Sequence, residues 1–125
     1  MDSDRDCPFC KGNRILIAEN HHAFAIEDKY PVSLGHCLVI PKTHVPTIFE
    51  LSGEAYAACF ELVRVVKNIL LIKHRPDGFN IGTNCGESAG QTVGHAHLHL
   101  IPRYTGDVPN PRGGIRHVIP GKGYY

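Results

Sequence analysis

The sequence predicts an α+β domain: a five-stranded antiparallel sheet with one long helix and a short N-terminal segment. Three observations carry that reading. Five short apolar runs are bounded by Pro, Gly or Asn, a single stretch of helical periodicity lies between Ser52 and His74, and the links are of hairpin length except where that helix intervenes. With 125 residues, 42% hydrophobic and 20% charged, the chain is expected to form a single domain, residues 1–125, around one modest core.

The elements follow in order. Three acids within the first six residues read as a frayed end. Met1 to Asp6 also lacks an apolar core segment, so a secretory signal peptide is not expected. Ile15-Leu16-Ile17-Ala18 and Ala23-Phe24-Ala25-Ile26, separated by the turn signal Glu19-Asn20, read as a hairpin. Pro31 and Gly35 bracket a loop, and Cys37-Leu38-Val39-Ile40 is a third strand ended by Pro41. Ser52 is the expected helix N-cap, with Glu54 in the first turn and apolar residues at Ala58, Cys59, Leu62, Val63, Val66, Ile69 and Leu70. The helix ends near His74, because Pro76 cannot continue it. Phe79 to Thr83 is a fourth strand and His95 to Ile101 a fifth, ended by Pro102. From about residue 104 to 125, Pro109, Pro111, Gly113, Gly114, Pro120, Gly121 and Gly123 break every pattern, so a C-terminal arm is expected, extended over the surface or disordered.

Composition excludes several functions. The longest apolar stretch, Val65 to Ile72, is interrupted by Lys67 and Asn68, far short of the roughly 20 apolar residues of a membrane helix. A soluble, cytoplasmic protein is expected. Thirteen basic against twelve acidic residues leave no broad electrostatic footprint for nucleic acid or an anionic membrane. Phosphate recognition must therefore be local. Five cysteines make an odd set, better read as ligands or buried apolar residues than as disulfides, with Cys37 and Cys59 assigned to the core. Nine histidines point to metal or acid-base chemistry without choosing between them.

The stretch His95-Ala96-His97-Leu98-His99-Leu100-Ile101 is the most informative. On a strand its three imidazoles would line one face, about 6.6 Å apart, while Ala96, Leu98 and Leu100 enter the core. One phosphate can touch two neighbouring rings at that spacing. The preceding loop, Asn84 to Gly94, carries glycine at three of its eleven positions and lets backbone amides converge on an anion. A solvated, histidine-rich sheet face is the alternative.

Gly90-Gln91-Thr92-Val93-Gly94-His95-Ala96-His97-Leu98-His99-Leu100-Ile101-Pro102-Arg103 resembles the signature of the histidine-triad (HIT) nucleotide-binding hydrolases and transferases. Gly35 to His44 and Phe24 to Asp28 resemble further blocks of that family, so the likeness covers about Cys7 to Arg103. It implies a HIT-like sheet and transfer of a nucleoside monophosphate through a covalent histidine intermediate. By position His97 would be the nucleophile, His99 would manage phosphate charge and the leaving-group proton, and His36 would join them. For that role His97 must present a neutral nitrogen, so its other nitrogen should donate to a carbonyl near His95.

The resemblance also places Asn84 and Thr92 on the phosphate and Asp28 on the ribose hydroxyls. Gln91 reads as a loop brace, with phosphate contact as its alternative. Phe9 and Ile26 are candidates for an apolar slot under the base, with plain core as the other reading.

Cys7-Pro8-Phe9-Cys10 admits a redox site, which needs a preceding strand and a helix N-terminus, or half of a zinc site, which needs two more ligands. The resemblance is to the zinc-containing, bacterial-type branch, and implies Cys7, Cys10, His44 and His95 as a closed, structural set. A homodimer is implied as well. Mg²⁺ would serve only to neutralise a polyphosphate substrate, as no carboxylate cluster suggests a fixed site. In the arm, Asn110 to Arg116 resembles a C-terminal segment of some bacterial relatives, and Arg112 and Arg116 would reach the phosphates of a long substrate or dock on a partner subunit. The expected function is hydrolysis or transfer of nucleoside 5′-phosphate derivatives, phosphoramidates or dinucleoside polyphosphates, carrying AMP or GMP. The competing readings are a purine-nucleotide-binding module with little turnover and an enzyme that removes AMP from adenylated nucleic-acid ends.

Overall fold

The computed structural model describes residues 6–12 and 14–125. The frayed acidic end expected at the start lies outside them, apart from Asp6. Five strands form one antiparallel sheet: β1 (Ala18–Glu19), β2 (Ala23–Glu27), β3 (Cys37–Pro41), β4 (Gly78–Gly82) and β5 (Leu98–Arg103), in the order β1-β2-β3-β5-β4. One helix, α1 (Gly53–His74), covers one face.

Strand alternation sorts the side chains between the faces. Ala23, Ala25, Cys37, Val39, Leu98 and Leu100 meet Cys59, Leu62, Val63, Val66 and Leu70 of α1 in the main core. Burial pushes the thiols of Cys37 and Cys59 up to about 11, so both are inert apolar fillers. On the opposite face Ile26, Leu38 and Ile40 form a smaller cluster with Phe9 and Phe24.

The helix begins and ends as its sequence requires. Ser52 Oγ accepts from Ala55 N at 3.2 Å, and Arg75 closes the helix in a left-handed conformation at φ 52°, with Lys73 and His74 in the last turn. Gly35, at φ 89°, has no substitute, since a Cβ there would stand 2.8 Å from the His74 ring.

Three strands are shifted from expectation. The first keeps only Ala18–Glu19, plus a bond from Ile17 N to Ala25 O at 2.8 Å; Ile15 is 94% exposed, because the chain leaves the sheet edge there to bring Phe9 to the second cluster. The fifth starts at Leu98, since Ala96 N donates to Val45 O at 2.8 Å instead of joining the ladder. Pro102 does not end it. β3 begins opposite Leu100, so the missing N–H of Pro102 faces past the end of that neighbour, where Ser33 Oγ meets its carbonyl at 2.7 Å. The fourth strand releases Thr83, which turns inward. The C-terminal arm is neither extended nor shapeless: a 3₁₀ turn, Gly114–Val118, lies against β4.

Candidate active site and metal centre

The segment before β1, the turn after β3 and the residues that lead into β5 bring four side chains together. Cys10 Sγ lies 3.2 Å from His44 Nδ1, Cys7 Sγ lies 3.3 Å from His95 Nδ1, and the two Nδ1 atoms are 3.0 Å apart. All four donor atoms lie within 4.8 Å of one another. A tetrahedral ion at about 2.0–2.1 Å from nitrogen and 2.3 Å from sulfur sets its ligand atoms about 3.3–3.8 Å apart. The donor set fits such an ion closely. His95 is oriented for it: Nε2–H donates to Pro41 O at 2.8 Å, which leaves the Nδ1 lone pair aimed at the cluster. The redox geometry does not form, because residues 8–10 make a turn and no helix starts at Cys7.

His95 therefore leaves the row expected of three imidazoles on one face. It is 1% exposed and turned into the cysteine pair, while His97 and His99 face the opposite side of the sheet from α1. Their ring centroids are 5.2 Å apart. His97 Nδ1–H donates to His95 O at 2.9 Å, the carbonyl expected from the sequence, so the free lone pair sits on Nε2. Thr83 Oγ1 donates to His97 O at 2.7 Å and so fixes the backbone of His97 itself, two peptides further along. Sequence reading missed Thr83, because nothing in a lone threonine after a strand announces a partner fourteen residues away.

A third tautomer follows from the backbone. Val32 N donates to His36 Nδ1 at 3.1 Å, which puts the His36 proton on Nε2; Nε2–H then donates to His99 Nδ1 at 2.9 Å, leaving His99 with its own N–H on Nε2. Asp28 Oδ2 stands 3.3 Å from His36 Nε2 and 3.8 Å from His99 Nδ1. Burial lowers the pKa of His36 against the pull of Asp28. His99 is brought down to about 4, by burial first and then by His97 and His36, with Asp28 opposing.

These shifts have a signed consequence. Between pH 6.5 and about 4 the unfolded chain holds a proton on residue 99 that the folded protein refuses, so stability must fall as pH drops through that window. His99→Asn removes this contribution. Calorimetric melting temperatures from pH 7 to 4 should decline less steeply in the variant than in the wild type, and parallel declines would refute the buried neutral ring.

These histidines open on a cavity of about 500 Å³. Phe9, Ile26, Asp28, His36, Asn84, Gln91, Thr92, His97 and His99 all line it, so every catalytic and nucleotide-binding candidate between residues 9 and 99 reaches one cavity. Their individual duties differ in support. Gln91 braces the loop: its Oε1 accepts from Gly86 N at 2.8 Å and its Nε2 donates to the Pro46 and Val93 carbonyls. Phe9 is at once core and wall, with its ring 5.1 Å from that of His97. Arg14 and Leu38 also line the cavity and were not foreseen, although Leu38 shares the alternation parity of Ile40 in the same small cluster. Arg112 and Arg116 do not line it; both guanidinium groups lie over the Tyr125 ring.

Comparison with known proteins agrees with this geometry. The HIT domain profile matches residues 12–106. Protein hit of Bacillus subtilis (strain 168) is 38% identical over 109 residues, 83% of this chain and 75% of that protein. An adenylylsulfatase of Arabidopsis thaliana is 38% identical over 103 residues, 78% of this chain and 52% of the relative. An AP-4-A phosphorylase of Mycobacterium tuberculosis is 36% identical over 98 residues, 74% of this chain and 48% of the relative. The chain thus spans about half the length of these last two. A HIT family protein from Bacillus anthracis superposes with a TM-score of 0.75 at 43% identity, over 79% of this chain and 74% of that one. A Zn-bound histidine triad family protein from Mycobacterium smegmatis does so with 0.77 at 34% identity, over 86% and 82%.

Proposed function

The chain belongs to the histidine-triad (HIT) family, and on that premise we propose that it is a nucleotide hydrolase or transferase that passes a nucleoside monophosphate, AMP or GMP, through His97. The observation that carries this reading is the fixed tautomer of His97, whose Nε2 lone pair is free at a cavity that also holds His99 and the glycine-bearing loop. In the first step Nε2 attacks the α-phosphorus. A P–N bond forms, the bond to the leaving group breaks, and the leaving group departs with that electron pair and takes a proton from a solvent water beside His99. Water then attacks phosphorus, the P–N bond breaks with its electron pair returning to His97 Nε2, the proton of the attacking water passes to solvent, and the nucleotide is released. The His99 N–H and the loop amides meet the charge that develops on the phosphoryl oxygens.

Asn84 and Thr92 are assigned to the phosphate, Asp28 to the ribose, and Phe9 and Ile26 to the base. Relatives carrying the names adenylylsulfatase and AP-4-A phosphorylase support nucleotide chemistry at a phosphorus atom. Cys7, Cys10, His44 and His95 would hold zinc as a closed set, which supplies rigidity and no open coordination position. A Zn-bound neighbour supports that choice of metal. Mg²⁺ enters this reading only as the counter-ion of a polyphosphate substrate. A cytoplasmic location goes with it, supported by five cysteines that form no disulfide with one another.

A single domain and a homodimer complete the reading. β4 is an edge of the sheet with Ile81 45% exposed, and Ile72 at the end of α1 is 83% exposed, which supports edge pairing between two copies. A monomer mass by light scattering would remove the dimer.

The deciding assay offers adenosine 5′-phosphoramidate, diadenosine polyphosphates and an adenylated DNA end, with mass spectrometry for a nucleotidyl adduct. Turnover of the phosphoramidate or polyphosphates with the adduct on His97 is expected. Binding without turnover on any of them would reduce the protein to a nucleotide-binding module, and preference for the DNA end would move it to nucleic-acid repair chemistry.

A further inference from the structure

Asp28 is tied to His36 more tightly than a sugar-binding carboxylate needs to be. Its main-chain N–H donates to His36 O at 2.9 Å, and its Oδ1 is occupied by Tyr30 N at 2.8 Å. That leaves Oδ2 both for a ligand in the cavity and for the His36 Nε2–H, 3.3 Å away. His36 has that one proton to give, because its Nδ1 is occupied by Val32 N, and His99 Nδ1 competes for it at 2.9 Å. Side-chain exposures of 3% for His36 and 14% for Asp28 keep bulk water from settling the contest.

We infer that Asp28 couples sugar identity to turnover: a ribose hydroxyl on Oδ2 releases the His36 N–H to His99. The inference rests on the reading above of a nucleoside 5′-phosphate in this cavity and adds what its sugar does. The sign follows from polarisation along a chain of hydrogen bonds. A hydroxyl donated to Oδ2 satisfies part of the carboxylate charge and weakens its pull on the His36 proton. His36 then donates more fully into His99 Nδ1, and His99 becomes a stronger donor at Nε2, the atom turned to the phosphoryl group. Asp28 acts on the reaction through His36 as a positioning residue, in addition to binding sugar.

Steady-state kinetics on adenosine 5′-phosphoramidate and its 2′-deoxy counterpart test this. In the wild type the deoxy substrate should lose about tenfold in kcat, the size of one hydrogen bond to a charged group, beyond any change in KM. In His36→Gln the ribose-to-deoxyribose ratio of kcat should collapse toward one, while AMP still binds more tightly than 2′-deoxy-AMP. A change confined to KM in the wild type, or a kcat ratio that persists in His36→Gln, would overturn the coupling. A second readout stands without turnover or that variant: the ring ¹⁵N resonances of His36 and His99 in the wild type at saturation. AMP should move both more than 2′-deoxy-AMP does, and identical spectra would sink the inference. If the wild type turns over neither substrate, the proposed activity fails, and these spectra still decide the coupling.

Discussion

Replacing His97 by alanine will lower kcat on adenosine 5′-phosphoramidate by at least about 10⁴-fold, the scale on which enzymes lose rate with their nucleophile. AMP will still bind within a few-fold of the wild-type affinity. The split between the two follows from where the ring sits. Its Nδ1 is spent on His95 O at 2.9 Å, so its one chemical asset is the Nε2 lone pair at the cavity. Of the walls that would grip base and ribose, Ile26 and Asp28 do not depend on it for their positions, and Phe9, whose ring meets it at 5.1 Å, is held by other neighbours as well. Phe9 and Ile26 belong to a cluster with Phe24, Leu38 and Ile40, and Asp28 is pinned by Tyr30 N and His36 O. Rapid-quench mass spectrometry should find a nucleotidyl adduct on the wild type and none on the variant. Retention of wild-type rates by His97→Ala would end the nucleophile assignment, and an unchanged adduct would move it to another ring.

Much of this site is written in local pattern. Alternation alone places Leu98 and Leu100 in the core and His97 and His99 on the other face, because a period of two survives any later choice of partner. The cap at Ser52 and the stop at Pro76 are equally local. What escaped is what depends on partners distant in sequence. The point at which β5 begins is decided by Val45 capturing Ala96 N, and no property of residues 95–97 records it. The same holds for Thr83 and His97 O; Val32 N reaches His36 from only four residues away, but through a loop conformation that residue pattern does not record, and it fixes the proton on which two histidines depend. Resemblance supplied Asp28 as a sugar ligand; only the fold reveals that its carboxylate also faces His36. In the arm, glycine and proline gave a correct reading of irregularity and a wrong one of looseness, since Arg116 bonds to Gly123 O and Lys122 O and shares the Tyr125 ring with Arg112.

With zinc held by Cys7, Cys10, His44 and His95 as proposed, its removal will cost about 15 °C or more in melting temperature and will take catalysis with it. The stability loss comes from the donors themselves. Cys7 and His95 are 0% and 1% exposed, and two histidine Nδ1 atoms lie 3.0 Å apart beside two sulfurs, so that without an ion this polar cluster must share protons or part. Structural zinc contributes on the order of 10 kcal/mol to the folding of small domains. A loss of even about 4 kcal/mol is roughly 15 °C in a domain of this size. The catalytic loss takes two routes, and they separate kinetically. Phe9 lies between the two cysteines and packs 5.8 Å from the His95 ring and 5.1 Å from the His97 ring, so freeing the cysteines loosens a wall of the cavity and should raise KM. His95 carries the carbonyl that sets the His97 tautomer, so freeing its ring should lower kcat. Cys10→Ser breaks the cluster at its exposed corner and should raise KM more than it lowers kcat; His44→Ala, whose Nδ1 faces that of His95, should do the reverse. Readdition of zinc to chelated wild type should restore both constants, and should restore neither fully in the variants. Protein shown metal-free by native mass spectrometry that nevertheless melts and turns over like the loaded form would mean that these four side chains hold the N-terminal segment by packing alone.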